Sequence, residues 1–370
     1  MNPKVSIILL NYNGLRNLGQ PVFVKCLSSV LKSTYSDFEV IFADNASTDG
    51  SVQFVKDEFG WANNLKFVSN QANYGFALGN NLALKHANGT YVILLNNDVE
   101  VEPNWIQELV NVLEVDSSIA IAQSKILSFD HTTIQSVGNL FDPSFMVYCI
   151  GANQADVGQY NQICDITFAC GAALIIRSSI IQQIGLFDPA YFWFHDDSDL
   201  CWRARLAGFR VVSVPSSIVY HKGSATSTRA FKERQDIFYY LTSQIGLLIK
   251  NTELKNFLKH GLKVFTGISS YIVAFLIQGN VKIPARVCIW SFKTFRHNWN
   301  WHIKVKKLRK INDEELLNSF LDSSLFVLRL RRILYKLTGR NKYGEKLELY
   351  ANQATLDYYS NHLYEPTSTR

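Results

Sequence analysis

Between residues 4 and 125, short and almost wholly apolar runs alternate with stretches whose apolar side chains recur every three or four positions. The apolar runs, at 5–10, 38–43, 65–68 and 91–95, predict strands. The stretches at 18–31, 52–59, 75–86 and 105–115 predict helices. Strands with no polar face suit a sheet covered by helices on both sides. Alternating β and α implies right-handed crossovers and a mostly parallel sheet, so the expected fold class is α/β. Residues 126–163 lose this regularity and read as an insertion or hairpin region. A second block follows, with a strand at 167–176, helices at 178–184 and 198–207, and a strand at 210–214. Beyond about residue 230, long helical segments punctuated by Lys and Arg take over.

Composition sharpens the division. With 370 residues, 47% hydrophobic and 13% aromatic, the chain can bury a sizeable core and is not largely disordered. Residues 1–235 carry 16 Lys and Arg against 21 Asp and Glu, whereas residues 236–370 carry 21 against 10. The net +6 therefore divides into an acidic and a strongly basic half. The expected organisation is an α/β domain over 1–230 and a helical, basic region over 231–370. Within the latter, 264–281 holds no charged residue, while Lys255, Lys259 and Lys263 precede it and Lys282, Arg286, Lys293 and Arg296 follow. Apolar helices fringed by Lys, Arg and Trp suit the interface of an anionic leaflet better than a membrane span. No nucleic-acid recognition motif accompanies the basic run, so a nucleic-acid partner is not expected. The six cysteines form no CxxC pair or zinc-type cluster, and 1–14 does not read as an export signal. Free thiols and a cytoplasmic location are the expectation.

In a parallel sheet, ligands gather at the carboxyl ends of the strands. Unusual polar residues stand there: Asn11-Tyr12-Asn13, Asp44-Asn45 and Asn96-Asn97-Asp98. The run 44–51 (DNASTDGS) offers a carboxylate to a base or ribose, and suits equally a strand-to-helix turn with its cap. In 73–81 (NYGFALGNN), Gly75 could open a helix whose N–H groups face an anion, and Gly79 and Asn80 lie one turn on. Asp98 at the end of a buried strand suits a divalent metal shared with phosphate oxygens. The segment 185–203 (GLFDPAYFWFHDDSDLCWR) places Asp196, Asp197 and Asp199 within four positions beside four aromatics. Crowded carboxylates raise one another's pKa, which makes a useful base. His221, just past a strand, could bind metal or phosphate.

Taken in this order, 5–14, 44–51, 73–81, 94–99 and 185–203 resemble the glycosyltransferase family 2 enzymes with the GT-A fold, most of all their rhamnosyltransferase-like group. The resemblance covers about residues 4–225. It implies that Asp44 contacts the nucleotide base and that Asn73, Gly75 and Asn80 contact the ribose and diphosphate, with Asn11, Asn13 and Asn97 as further donor-side candidates. By the same similarity Asp98 holds Mg²⁺ or Mn²⁺, His221 helps hold the metal or diphosphate, and Asp197, with Asp196 beside it, is the general base. The implied reaction is inverting transfer of one sugar, with rhamnose expected, from a nucleotide sugar to a saccharide acceptor carried on a lipid at the inner face of the cell membrane. Asn96 stands where a second acid is usual, which puts metal affinity in doubt. The QxxRW motif of processive members is absent, which favours one transfer per encounter. Two other readings are a sugar-1-phosphate nucleotidylyltransferase and a catalytically inactive nucleotide-sugar-binding scaffold. The first needs a Gly-rich loop where Asn11-Tyr12-Asn13-Gly14 stands, and the retained acids oppose the second.

Overall fold

A computed structural model describes residues 4–142, 147–192, 194–223, 235–277, 281–318 and 344–365. Its first half follows the alternating pattern. Strands β1 (Val5–Asn11), β2 (Phe38–Asp44), β3 (Leu65–Ser69) and β4 (Tyr91–Asn96) are parallel neighbours, and β1, β2 and β4 are almost completely buried. Helices α1 (Gly14–Leu18), α2 (Gln20–Leu31), α3 (Ser51–Phe59) and α4 (Gly75–Leu84) cover the sheet. Next come β5 (Val99–Val101), α5 (Trp105–Val115), β6 (Ile119–Ser128), β7 (Ile134–Ser136), β8 (Asn139–Phe141), β9 (Val147–Cys149), β10 (Cys164–Asp165) and β11 (Ala173–Arg177). Helices α6 (Ser178–Ile184) and α7 (Asp196–Leu206) and strand β12 (Arg210–His221) complete this part. The main sheet runs β10-β12-β6-β11-β4-β1-β2-β3, with β11 antiparallel to both of its neighbours.

Several elements depart from the expected boundaries. The helix expected at 18–31 is two, because Pro21 lacks the N–H an interior position needs and instead opens α2. Strand β6 was hidden by its polar residues Gln123, Ser124 and Lys125, all buried. Each has a partner: Gln123 meets Ser136, Ser124 meets Ser217, and Lys125 meets Asp156 and Asn161. The strand expected at 167–176 begins only at Ala173. The strand expected to end at 214 continues through a bulge between Val214 and Ile218 to His221, which absorbs Pro215.

Helices α8 (Gln235–Asn251), α9 (Leu254–Ile277), α10 (Lys282–Leu308), α11 (Asp313–Asn318) and α12 (Gly344–Asn361) follow. They share the hydrophobic core of the first part. Leu241 and Leu247 of α8, Val264 of α9, Val305 of α10 and Tyr359 of α12 join one cluster with Leu174 and Trp202. Past α12, the Tyr364 N–H donates to the Ile163 carbonyl at 2.8 Å. The expected boundary at 230 lies outside the described residues, as do Trp193 and residues 278–280 of the charge-free stretch. Among the described residues, no helix is long and apolar enough to cross a membrane.

Candidate active site

The bulged end of β12 builds one side of the site. Its last residues pair with the short strand β5, putting His221 opposite Val99 and next to Asp98. The His221 Nε2 lies 3.1 Å from Asp98 Oδ1. Gln135 sets the tautomer. Its Nε2 donates to the His221 backbone carbonyl at 2.6 Å, so its Oε1, 3.0 Å from Nδ1, must accept a proton from that nitrogen. The Nε2 lone pair then faces a carboxylate oxygen, with the Asn96 amide Nδ2 3.4 Å away, and two lone pairs 3.1 Å apart call for a proton or a cation between them. Cis ligands of an octahedral Mg²⁺, at about 2.1 Å each, stand about 3.0 Å apart. Asp98 and His221 could therefore hold such an ion. Among the described residues no group of three or more His, Cys, Asp or Glu gathers for a metal, so the remaining ligands would be phosphate oxygens and water.

Beside this pair opens a cavity of about 500 Å³, a size suited to a small-molecule ligand. Asn11, Asn45, Asn73, Gly75, Asn97, Asp98 and His221 contribute to its polar wall, and Leu18, Phe76, Phe192 and Phe194 to its apolar wall. Other expected contacts lie behind it. Asp44 is buried, with Oδ1 accepting from Asn11 Nδ2 at 2.8 Å and Oδ2 from the Ser47 N–H at 2.8 Å. Asn13 Oδ1 accepts from the Thr48 N–H, and Asn80 Nδ2 donates to the Phe76 carbonyl inside α4. The 44–51 run thus forms a braced loop as well as a strand end. Asn97 Nδ2 donates to Asn11 Oδ1, joining the metal side to that brace.

The start of α4 is shaped by an aromatic neighbour. Gly75 has φ +73°, and a Cβ there would come within 2.5 Å of the Phe192 carbonyl oxygen. That oxygen accepts from the Phe76 N–H at 3.1 Å, so one donor expected to face an anion is already taken. Gly79 has a packing reason: a Cβ would come 2.9 Å from both Asn45 Nδ2 and Leu10 Cδ1.

Phe194 and His195 both adopt left-handed conformations, at φ 68° and 61°, and turn the chain abruptly into α7. Side chains rarely accept this, at a cost of order 1–3 kcal/mol each, and such turns collect at functional sites. The turn sets Asp196 and Asp197 in the first turn of α7, where the helix dipole favours negative charge. Asp197 is half-buried. Its Oδ2 accepts from the Gly171 N–H at 3.0 Å and its Oδ1 from the Ser198 N–H at 2.6 Å. Neither acid is part of the cavity wall, but a Cβ at Gly171 would touch both Asp197 and the wall residue Phe76. Asp196 is buried and its Oδ2 has no hydrogen-bond partner. Burial, and then the charge on Asp197, push Asp196 up to about 8. Burial raises Asp197 as well, against the Gly171 and Ser198 N–H groups that favour its charged form.

This has a consequence for stability. A carboxyl raised in the folded state contributes fully below the unfolded value of about 4, and that contribution is lost as pH rises through about 8. Asp196→Asn should therefore raise the melting temperature at pH 8 and flatten its decline from pH 4 to pH 8. An unchanged pH slope in a thermal-shift titration would refute the buried neutral acid.

The third acid has a different task. Asp199 bonds to Arg203 Nε at 3.0 Å, Lys250 Nζ at 3.0 Å and Asn251 Nδ2 at 2.9 Å, all within the core. Lys250 also holds Asp188 at 2.8 Å, and His297 of α10 reaches the other Asp188 oxygen at 2.8 Å. The apparent crowding of three acids is thus a close pair, Asp196 and Asp197, beside a neutralised structural acid. Gln135 and Gly171 escaped the sequence reading: Gln135 lies in the irregular stretch and Gly171 in an expected strand, and neither has a local pattern.

Comparison with known proteins follows this geometry. Residues 6–185 match the family model described as Glycosyl transferase family 2. Over 233 residues the chain is 23% identical to a low-salt glycan biosynthesis hexosyltransferase of Haloferax volcanii, covering 61% of this chain and 69% of that one. It is 23% identical to the rhamnosyltransferase WbbL of Escherichia coli over 256 residues, covering 64% of this chain and 92% of that one. In structure it is similar to a mannosyltransferase of Pyrobaculum calidifontis solved with GDP-Man and Mn²⁺. There the TM-score is 0.50 and the identity 16%, over 83% of this chain and 85% of that one. The fold is that of the GT-A glycosyltransferases.

Proposed function

Because residues 6–185 belong to glycosyltransferase family 2, we propose that this chain, a glycosyltransferase of glycan assembly, transfers one sugar per encounter from a nucleotide sugar to a saccharide hydroxyl, with inversion. The sugar we assign is rhamnose, which the similarity to WbbL supports. The acceptor we assign is a saccharide carried on a lipid at the cytoplasmic face of the membrane. The observation that carries the reading is the cavity itself, with the Asp98–His221 pair in its wall and Gly171 standing between the wall residue Phe76 and Asp197.

Asp98 and His221 would hold a Mg²⁺ or Mn²⁺, which when bound offsets charge on the departing diphosphate. Gln135 keeps the His221 lone pair directed at that position. Asn73 and Gly75, in the cavity wall, face the ribose and diphosphate. Asn11 and Asn97 continue that wall, while Asp44 and Asn13 fix the loop that receives the base and Asn80 supports α4 from within. Asp197 takes the proton of the attacking hydroxyl. Asp196, protonated below about pH 8, keeps the pair at one negative charge and so leaves Asp197 ionised to accept that proton.

The test is calorimetric titration of dTDP-rhamnose with and without Mn²⁺. The wild type should bind more tightly with metal, and Gln135→Ala should weaken Mn²⁺ binding about 10–100-fold, with His221→Ala weakening it at least as much. Metal-independent binding of equal strength in all three proteins would remove the metal from the assignment. A panel of nucleotide sugars that leaves the melting temperature unchanged would sink the donor reading.

A further inference from the structure

Helices α9 and α10 each bury one face in the core, with Val264 and Ile268 inward on α9 and Val287 and Val305 inward on α10. Their outer faces are apolar and uncovered. On α9, Leu254, Leu258, Leu262 and Phe265 are 66–72% exposed and recur at i, i+4, i+8 and i+11, a single stripe. On α10, Ile289, Phe292, Trp299 and Ile303 share a face opposite Val287 and Val305, and Phe292 is 86% exposed. Soluble surfaces seldom present so many large apolar side chains together, and such a patch marks an interaction site. The flanking charge identifies the partner. α9 contains three Lys and α10 seven Lys and Arg, and neither helix contains an Asp or Glu. Nearby, Glu253 and Glu314 approach Lys255, and Glu253 also approaches Arg309 just past α10.

We propose that these two outer faces are a docking surface for an anionic lipid leaflet, with the Leu, Ile, Phe and Trp side chains entering the acyl boundary and the basic residues meeting the headgroups. This deepens the membrane reading given above and rests on it for its purpose, though not for its chemistry. A nucleic acid would engage the basic residues and leave the aliphatic stripe exposed. A second copy would set ten basic residues against ten more. An anionic leaflet satisfies both halves of the surface at once.

Flotation of the full chain with vesicles tests it. The protein should float with phosphatidylcholine–phosphatidylglycerol vesicles, float poorly with phosphatidylcholine alone, and detach as salt rises. Phe292→Asp and Leu258→Asp should each lower vesicle partitioning about tenfold or more, and Lys293→Glu/Arg296→Glu should remove the preference for anionic lipid. All these side chains point away from the core, so melting temperature and nucleotide-sugar binding should match the wild type. Wild-type protein that stays unbound, or variants that float equally well, would overturn the proposal. So would a wild-type dimer that Phe292→Asp converts to a monomer without any vesicle binding. Loss of donor binding with flotation intact would instead count against the catalytic reading alone.

Discussion

Replacing Asp197 with asparagine should lower turnover by about 10²–10⁴-fold while donor binding stays close to that of the wild type. Three features place the effect there. Asp197 is the more exposed of the two acids, Gly171 lies between it and the wall residue Phe76, and its oxygens are held by the Gly171 and Ser198 N–H groups. A base fixed in this way meets its proton without reorganising. Burial raises its pKa, so the acid limb of the rate profile should lie above the usual carboxylate range, with turnover falling as pH drops through it. Asp196→Asn provides the comparison. Asp196 is already neutral below about pH 8, so its amide should cost far less activity. If Asp196→Asn proves the more damaging change, the base is the residue with the unpartnered Oδ2. Turnover of Asp197→Asn within a few-fold of wild type would remove it from the reaction.

Lys250→Met should be strongly destabilising, costing about 3–5 kcal/mol. Lys250 is completely buried between Asp188 and Asp199, themselves almost inaccessible. Burial alone would raise Asp188, and the Lys250 charge and hydrogen bond outweigh it to hold that carboxyl below its usual value. Removing the ammonium leaves both carboxylates buried, with His297 and the Ala190 N–H on Asp188 and Arg203 and Asn251 on Asp199. A loss of that size is a large share of the 5–15 kcal/mol that stabilises a typical protein. Urea denaturation checks it, and Lys250→Met/Asp188→Asn should recover part of the loss. A midpoint unchanged in Lys250→Met would show that the network adds nothing. A chain ended at residue 230 loses the same ammonium and should fail to fold.

The alternation of apolar runs and 3.6-residue periodicity made the parallel half of the sheet legible, because β1, β2 and β4 are almost completely buried and mostly apolar. Strand β6 did not show, since Gln123, Ser124 and Lys125 break the run and only partners at 136, 156, 161 and 217 explain their burial. The site divided in the same way. Asp98, His221, Asp196 and Asp197 stand out by residue type, and the sequence order suggests a role for each. That His221 meets Asp98 depends on the bulge in β12 and on its pairing with the three-residue strand β5, neither of which has a local signature. Asp199 looked like its two neighbours until Lys250, 51 positions away, came to rest against it.

One helix touches both ends of this arrangement. Through its inner face α10 places His297 against Asp188 and Trp301 over Arg203 and Lys250, immediately behind the helix that carries the reactive acids. Its outer face is the one proposed to meet lipid. An α-helix with its side chains is about 10–12 Å thick, so a docked molecule would carry its acids at a height fixed by α10. That height works as a ruler. A hydroxyl on the first sugars above the leaflet comes within reach, and one at the end of a long glycan stands too far out. Acceptor length would then be selected by how far the site stands from the membrane as well as by contacts within it.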